Sequence, residues 1–198
     1  MIPKKPWSRM LPLDSARLVL RRFSGGDLAA FQAYRNDPEV ARFQGWESFS
    51  LAEATVFVAR QERQEIASPG QWLQLAISLK QTGQLVGDCA LKVHAADARQ
   101  ATIGITLCRA FQGQGLATEA LSALLEYLFL EANLHRVQAD TDPANVRAWR
   151  LLERLGMRRE AHCLQSLWFK GHWADEYFYA ILRQEWHQLR QARSAVVS

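Results

Sequence analysis

Cysteine and histidine are scarce in this sequence, and their spacing excludes several classes of protein. The 198 residues include three cysteines, Cys89, Cys108 and Cys163, which are widely separated and form no C-x-x-C pair. An odd number at such spacing argues against both a disulfide framework and a cysteine zinc site. The histidines stand singly in unrelated segments, so we expect no bound metal. Buried free thiols are the simplest account of the cysteines.

Long apolar runs are also missing. The longest is far shorter than the roughly 18 residues that a membrane-spanning helix needs. The chain starts with MIPKKPWSRM, which carries charges but lacks the apolar stretch of a secretion signal. We therefore expect a cytoplasmic protein with no membrane partner.

Internal repeats, low-complexity tracts and linker-like segments are absent as well. An apolar fraction of 48% is ordinary for a globular protein, and 198 residues are enough to bury a substantial core. We expect one domain over residues 15–190, with loose segments at residues 1–14 and 191–198. The sequence hardly constrains the oligomeric state, so both a monomer and a homodimer stay open.

The net charge of +4 raises the question of a nucleic-acid partner. Most basic residues are scattered, and no nucleic-acid-binding motif accompanies them, so we expect no such partner. One dense basic patch exists, made of Arg147, Arg150, Arg154, Arg158 and Arg159. It is either a solvated helix face or a surface that meets an acidic ligand.

The stretch LCRAFQGQGLATEA, residues 107–120, contains the strongest local signal. Residues 101–107 are β-branched and apolar without a helical period, which predicts a strand. After the glycines, leucines recur at helical spacing and predict an amphipathic helix. A helix start exposes unpaired N–H groups at the positive end of its dipole, and glycine allows close approach to that backbone. The turn therefore predicts an anion site, most simply for a phosphate.

The exact residues of the turn choose among known phosphate motifs. A nucleotide P-loop needs a lysine directly after its last glycine, and none follows Gly115. The dinucleotide fingerprint needs a third glycine where Thr118 stands, which weakens that interpretation. The pattern Gln112-x-x-Gly115-x-Ala117 is similar to the acyl-CoA signature of the GNAT superfamily of N-acetyltransferases.

A second motif strengthens this resemblance. Residues 135–161 read as a short strand, a helix that opens near Asn145, and a terminating glycine at Gly156. This order resembles the strand and helix that follow the pyrophosphate turn in the superfamily, although Met157 stands where the pattern has an aromatic residue. The later stretch LWFKGHWADEYFYAILRQEW resembles the closing hairpin of the branch that contains ribosomal-protein N-terminal alanine and serine acetyltransferases.

The resemblance implies a mixed α/β fold of the GNAT type. Its central sheet is mostly antiparallel, has about seven strands, opens in a V between strands four and five, and is flanked by helices. In relatives the pantetheine arm of acetyl-CoA enters this opening beside a bulge, for which Leu107 and Cys108 are the candidates. The implied acetyl-CoA-binding residues are Leu107, Cys108, Gln112, Gly113, Gln114, Gly115, Leu116, Ala117, Thr118 and Asn145. For Asn145, a helix N-cap is an equally good interpretation.

The catalytic groups are less well defined by the sequence. By resemblance, the backbone N–H of Cys108 is the candidate that polarises the thioester carbonyl and stabilises the oxyanion. Many relatives carry serine at the position of Ala148 or tyrosine at that of Leu152 to protonate the leaving thiolate, and this chain has neither. The base candidates are Asp88 and Glu160, followed by His162 and Glu47.

These expectations give one preferred function and two alternatives. The preferred one is an N-acetyltransferase that uses acetyl-CoA as cosubstrate, with no metal, and acetylates a primary amine such as a protein N-terminal α-amine. Lack of a strong base favours an α-amine, whose pKa near 8 leaves it partly neutral at physiological pH. The alternatives are an aminoglycoside-type acetyltransferase that acts on a small amine, and a non-catalytic module that binds acyl-CoA.

Overall fold

The computed structural model describes residue 7, residues 10–66 and residues 68–197. The strands are β1 Leu13–Asp14, β2 Leu18–Arg21, β3 Leu73–Leu79, β4 Leu85–Val93, β5 Gln100–Leu107, β6 Arg136–Thr141, β7 Arg158–Phe169 and β8 His172–Leu182. The helices are α1 Leu28–Arg35, α2 Pro38–Ala41, α3 Leu51–Arg63, α4 Leu116–Glu126, α5 Val146–Arg154 and α6 Arg183–Val197. No helix among these residues combines the length and apolar character needed to cross a bilayer.

The strands in the described part of the chain form one sheet in the order β1-β2-β3-β4-β5-β6-β8-β7. All neighbours pair antiparallel except β5 and β6, which are parallel. The sheet therefore has eight strands where the sequence predicts about seven. The mixed α/β architecture with flanking helices is as predicted.

The parallel pair β5 and β6 is joined over only part of its length. Their register runs from the pair of Gln100 and Arg136 to that of Thr102 and Gln138. Beyond Thr102, β5 continues to Leu107 against β4 alone. The sheet consequently opens in a V between these two strands, which are the fourth and fifth of the predicted order.

The helices cover both faces of the sheet because the strands alternate their apolar side chains. The larger core cluster joins α4, α5 and Trp186 of α6 to one face, where Val137 and Ala139 of β6 are buried. A smaller, aromatic cluster joins α1 and α3 to the other face around Phe31 and Ala76. The two faces of the sheet are thus covered by different helices.

The chain ends differ from the predicted loose segments. At the N-terminus, Trp7 and Met10 are buried in the larger core cluster because their side chains are apolar, and Leu13–Asp14 form β1, which pairs with β2. At the C-terminus, α6 continues to Val197, since this stretch contains neither glycine nor proline to end it. Residues 1–6, 8, 9 and 198 lie outside the described residues.

Candidate functional site

A large cavity lies where β5, the glycine turn, α4 and α5 converge. Its volume is about 1090 Å³, and residues 39–44 close its other side. The predicted ligand-binding residues that line it are Leu107, Gln112, Gly113, Gly115, Leu116, Ala117, Thr118 and Asn145. Gln114 and Cys108, from the same prediction, do not line it. The structure therefore brings together two motifs that are about thirty residues apart in the chain.

The glycine turn has the backbone that the sequence predicts for an anion site. Gly113 and Gly115 have φ of +77° and +78°, in the left-handed region that favours glycine. Gly115 is the N-cap residue of α4, so the unpaired N–H groups of the first turn begin beside the cavity. A side chain at Gly113 would meet no atom within 4 Å. The turn is open toward an incoming ligand.

Hydrogen bonds and an ion pair that the sequence does not reveal fix the start of α4. Glu119, in its first turn, accepts hydrogen bonds from Ser15 Oγ at 2.7 Å and from the backbone N–H of Arg17 at 2.6 Å. The Arg17 guanidinium pairs with Glu119 and donates to the Gln114 carbonyl at 3.1 Å. The turn between β1 and β2 thus fixes the glycine turn from behind. Its partners are about a hundred residues apart, so no local pattern signals it.

The cavity wall is strongly basic. Its arginines are Arg42, Arg109, Arg147, Arg150 and Arg154, against one acidic residue, Glu39, in the lining formed by the described residues. Arg147 donates to Gln112 Oε1 at 3.0 Å, and Gln112 Nε2 donates to the Leu107 carbonyl at 3.0 Å. These bonds link α5 across the cavity to the end of β5. Three residues of the basic patch, Arg147, Arg150 and Arg154, therefore line the cavity, where an acidic ligand would meet them.

The backbone of Cys108 is oriented differently from the prediction. Its N–H donates to the Val86 carbonyl at 2.9 Å, so it faces β4 and is already satisfied. The register between β4 and β5 runs to Leu107 without a shift, so no bulge forms at these residues. In an antiparallel strand, alternate residues face opposite neighbours, and the N–H of a residue points to the same side as its carbonyl. Since the Cys108 N–H faces β4, the N–H and the carbonyl of Leu107, the preceding residue, both face away from β4. The Leu107 carbonyl accepts from Gln112 on that side, so the Leu107 N–H faces the opening.

The structure places Asp88, the first of the predicted base candidates, in a buried ion pair. Its carboxylate is 1% exposed and accepts two hydrogen bonds from Arg35 Nη2, at 2.8 and 2.9 Å, and one from the Tyr34 hydroxyl at 2.5 Å. Burial, together with the charge of Asp88, raises the pKa of Tyr34 well above its usual value. All of these groups stabilise the packing of α1 on β4, so Asp88 is not available to a substrate.

Glu160, the second predicted base candidate, is paired with two arginines. Its carboxylate pairs with Arg136 and, at 2.6 Å, with Arg158. The hydrogen bond from Arg136, which outweighs the opposing effect of partial burial, and the charge of Arg158 lower the pKa of Glu160 to about 2. Such a carboxylate is a weak proton acceptor. The two further candidates are no better placed, since His162 pairs with Asp175 at 2.8 Å and Glu47 is exposed on a loop.

Helix α5 presents Ala148 to the cavity and keeps Leu152 in the core. Asn145 is the N-cap residue of α5, and its Oδ1 accepts from the Ala148 N–H at 3.3 Å. Asn145 also lines the cavity, so the capping and lining roles coexist. Ala148 lines the cavity too, whereas Leu152 is 6% exposed within the larger core cluster. Of the two positions where relatives carry a hydroxyl, only that of Ala148 is open.

The hairpin of β7 and β8 reaches the loop that closes the cavity. Lys170, at its tip, donates to the carbonyls of Ala41 at 2.8 Å and Trp46 at 2.9 Å. Just behind the tip, Trp168 and Trp173 face each other with ring centroids 5.4 Å apart. Their side chains are 61% and 56% exposed. The hairpin therefore carries a large exposed aromatic surface close to its tip.

Comparison with known proteins places these features in a family. The family model described as an acetyltransferase (GNAT) domain matches residues 17–158. The uncharacterized N-acetyltransferase YnaD of Bacillus subtilis (strain 168) is 30% identical over 175 residues, covering 88% of this chain and 99% of the relative. The ribosomal protein uS5 alanine N-acetyltransferase of Escherichia coli (strain K12) is 33% identical over 84 residues, 42% of this chain and 43% of that protein.

The fold has a matching solved structure. The crystal structure of a GNAT-family acetyltransferase from Bacillus anthracis superposes with a TM-score of 0.79 at 28% sequence identity. The match covers 88% of this chain and 99% of that one. Sheet, opening and glycine turn therefore belong to a fold that is already known in other proteins.

Proposed function

Because the chain belongs to the GNAT acetyltransferase family, and is thus an acetyl-CoA-dependent N-acetyltransferase that acts on amines, we propose that its acceptor is a protein N-terminal α-amine. The observation that carries this proposal is the exposed pair Trp168 and Trp173, on the hairpin whose tip residue Lys170 contacts the loop next to the cavity. Exposed aromatic residues are typical of surfaces that bind other proteins. A relative that is an alanine N-acetyltransferase of a ribosomal protein supports the same acceptor class.

The cavity suits the acetyl donor, which carries several phosphate charges. The unpaired N–H groups from Gly113 to Thr118 would hold the pyrophosphate, as helix N-termini hold anions generally. Arg147 and its neighbours on α5 would balance the remaining charge. In the opening between β5 and β6, the Leu107 N–H takes over the role predicted for Cys108. It would donate a hydrogen bond to the thioester carbonyl, where negative charge develops during transfer.

The acceptor class is testable with a panel of amines. At pH 7.5 we expect a peptide with a free α-amine to exceed an α-acetylated, lysine-containing peptide in kcat/KM by about 10²-fold, because their amine pKa values, near 8 and 10.4, leave very different neutral fractions. The rate with the α-amine should rise with pH and level off around pH 8. Spermidine serves as the small-molecule comparison.

Two outcomes of this panel would contradict the proposal. If spermidine or an aminoglycoside is the best acceptor, the enzyme modifies small amines. If no amine is acetylated although calorimetry shows tight acetyl-CoA binding, the chain is a binding module without catalysis.

A gain-of-function test concerns the group that protonates the leaving thiolate. Ala148→Ser places a hydroxyl on the cavity wall, and we expect it to raise kcat several-fold with unchanged acetyl-CoA affinity, provided that this protonation limits turnover. Leu152→Tyr should instead lower the unfolding midpoint, since a phenol in the core leaves a polar group without a partner. An unchanged kcat in folded Ala148→Ser would mean that water or another group already supplies the proton.

A further inference from the structure

Asp140 lies on β6 just beyond the point where this strand leaves β5. The last parallel pair joins Thr102 to Gln138, and Asp140 follows two residues later on the same face of the sheet. Continuing this register places Asp140 across the opening from Gly104. Among the described residues, its carboxylate accepts a hydrogen bond only from its own backbone N–H. The neighbouring strands desolvate the Asp140 carboxylate in part, but the residue is exposed at the sheet surface, so a substrate can reach it.

The sheet surface beside Asp140, on β5 and β4, is made of small residues. Gly104 pairs with Ala90 of β4, and a side chain at Gly104 would meet only the Ala90 Cβ, at 3.6 Å. This face is the one opposite α4 and α5, since the residues that alternate with Asp140, Val137 and Ala139, are buried against those helices. An amine that approaches on this face would thus reach the opening from the side opposite the basic cavity.

The charged residues around Asp140 come from β8, which pairs with β6, and from β4, which lies on the far side of β5. On β8, Phe178 stands opposite Asp140, and Glu176 lies two residues further on the same face. On β4, Lys92 pairs with Thr102 of β5. Desolvation by the surrounding strands raises the pKa of Asp140 first, the Glu176 charge raises it further, and the Lys92 charge opposes both. Asp140 is therefore a stronger base than an ordinary aspartate, unlike Glu160.

We propose that Asp140 is the catalytic base of the acetyl transfer, an inference that rests on the proposed function. The neutral amine attacks the thioester carbonyl carbon, the new N–C bond forms and the C–S bond breaks. The proton that the nitrogen loses passes to the Asp140 carboxylate, and the CoA thiolate takes a proton from water. The hydroxide that remains takes the proton from Asp140, which restores the carboxylate. The nitrogen becomes strongly acidic once it is bonded to the carbonyl carbon, so a carboxylate of moderate pKa suffices to accept its proton.

The first test is substitution of Asp140 in the full chain, assayed with acetyl-CoA and the best peptide acceptor. Asp140→Asn should lower kcat by on the order of 10²-fold while acetyl-CoA affinity, measured by calorimetry, stays unchanged. Asp140→Glu should recover part of the rate. The matched control is Asp175→Asn, which removes a carboxylate of β8 that pairs with His162 instead. It should leave kcat near the wild-type value.

The second test uses pH profiles of kcat at saturating acceptor, which a purely structural role would not shift. Glu176→Gln removes the like charge and should move the acid limb to lower pH, because the pKa of Asp140 falls. Lys92→Met removes the opposite charge and should move that limb to higher pH. If the acid limbs of the two variants shift in opposite directions, Asp140 is supported as the base even if Asp140→Asn fails to fold.

The two proposals fail in different ways. Wild-type kcat in folded Asp140→Asn, or acid limbs that do not move in the two charge variants, would overturn the base assignment and leave the acetyltransferase function intact. Wild-type protein that binds acetyl-CoA but acetylates no amine would overturn the proposed function, and the base assignment with it.

Discussion

Gly113→Glu is expected to lower the affinity for CoA by at least about 10²-fold while the protein stays folded. The new carboxylate would occupy the place of the pyrophosphate at the start of α4, repel its charge and remove its access to the backbone N–H groups. Charge-assisted hydrogen bonds of this kind contribute about 1.5–3 kcal/mol each, and roughly 1.4 kcal/mol corresponds to a tenfold change in affinity. Calorimetric titration with CoA measures the loss.

Gly83→Glu is the matched control for this experiment. Gly83 has φ of +70° and, like Gly113, no atom within 4 Å of the position that a Cβ would take, but it lies in the turn between β3 and β4. Both variants should therefore lose about 1–2 kcal/mol of stability from the left-handed backbone, and only Gly113→Glu should lose affinity. Gly115→Glu is less suitable because Arg17 Nη2, 3.5 Å from its Cβ position, would pair with the carboxylate. Unchanged affinity in folded Gly113→Glu would refute the pyrophosphate site.

Asp88→Ala is expected to lower the free energy of unfolding by about 3–5 kcal/mol. The substitution leaves the Arg35 guanidinium, itself 2% exposed, buried without its partner, and breaking a buried ion pair from one side has this cost. The Tyr34 hydroxyl loses its acceptor at the same time. Urea denaturation followed by circular dichroism provides the measurement.

Two controls separate the structural role of Asp88 from a catalytic one. Asp97→Ala breaks the exposed pair with Arg99 and should leave the urea midpoint nearly unchanged. The double variant Arg35→Met with Asp88→Leu removes both charges and should regain part of the lost stability. If Asp88→Ala were as stable as the wild type but inactive, Asp88 would be a catalytic group after all.

The sequence was informative where the chemistry depends on neighbouring residues. Gly113 and Gly115 predict the anion turn because the left-handed backbone and the helix start follow from a few consecutive residues. Asn145 predicts the start of α5 for the same reason, since a side-chain cap acts within one turn. α6 continues to Val197, into the segment 191–198 that was expected to be loose, because this segment contains neither glycine nor proline to end the helix.

The catalytic groups were not predictable in this way. Asp88 and Arg35 are 53 residues apart in the chain, and Glu160 and Arg136 are 24 apart. Whether a carboxylate is buried, paired or free depends on which strands become neighbours, and no local pattern encodes that. Asp140 carries no sequence signal, since its position relative to the opening follows only from the parallel register of β5 and β6.

Two motifs in the sequence identified the fold family by resemblance. Neighbouring residues also predicted the glycine turn and the start of α5, because both depend on short-range backbone preferences and capping. Tertiary structure alone decided which backbone N–H faces the opening, which arginines line the cavity and which carboxylates remain available. In the register of β4 with β5, alternate residues of β5 direct their N–H groups toward β4. The Cys108 N–H therefore faces Val86, and the Leu107 N–H faces the opening. A strand has a period of two, so a change of one residue in register reverses every such assignment.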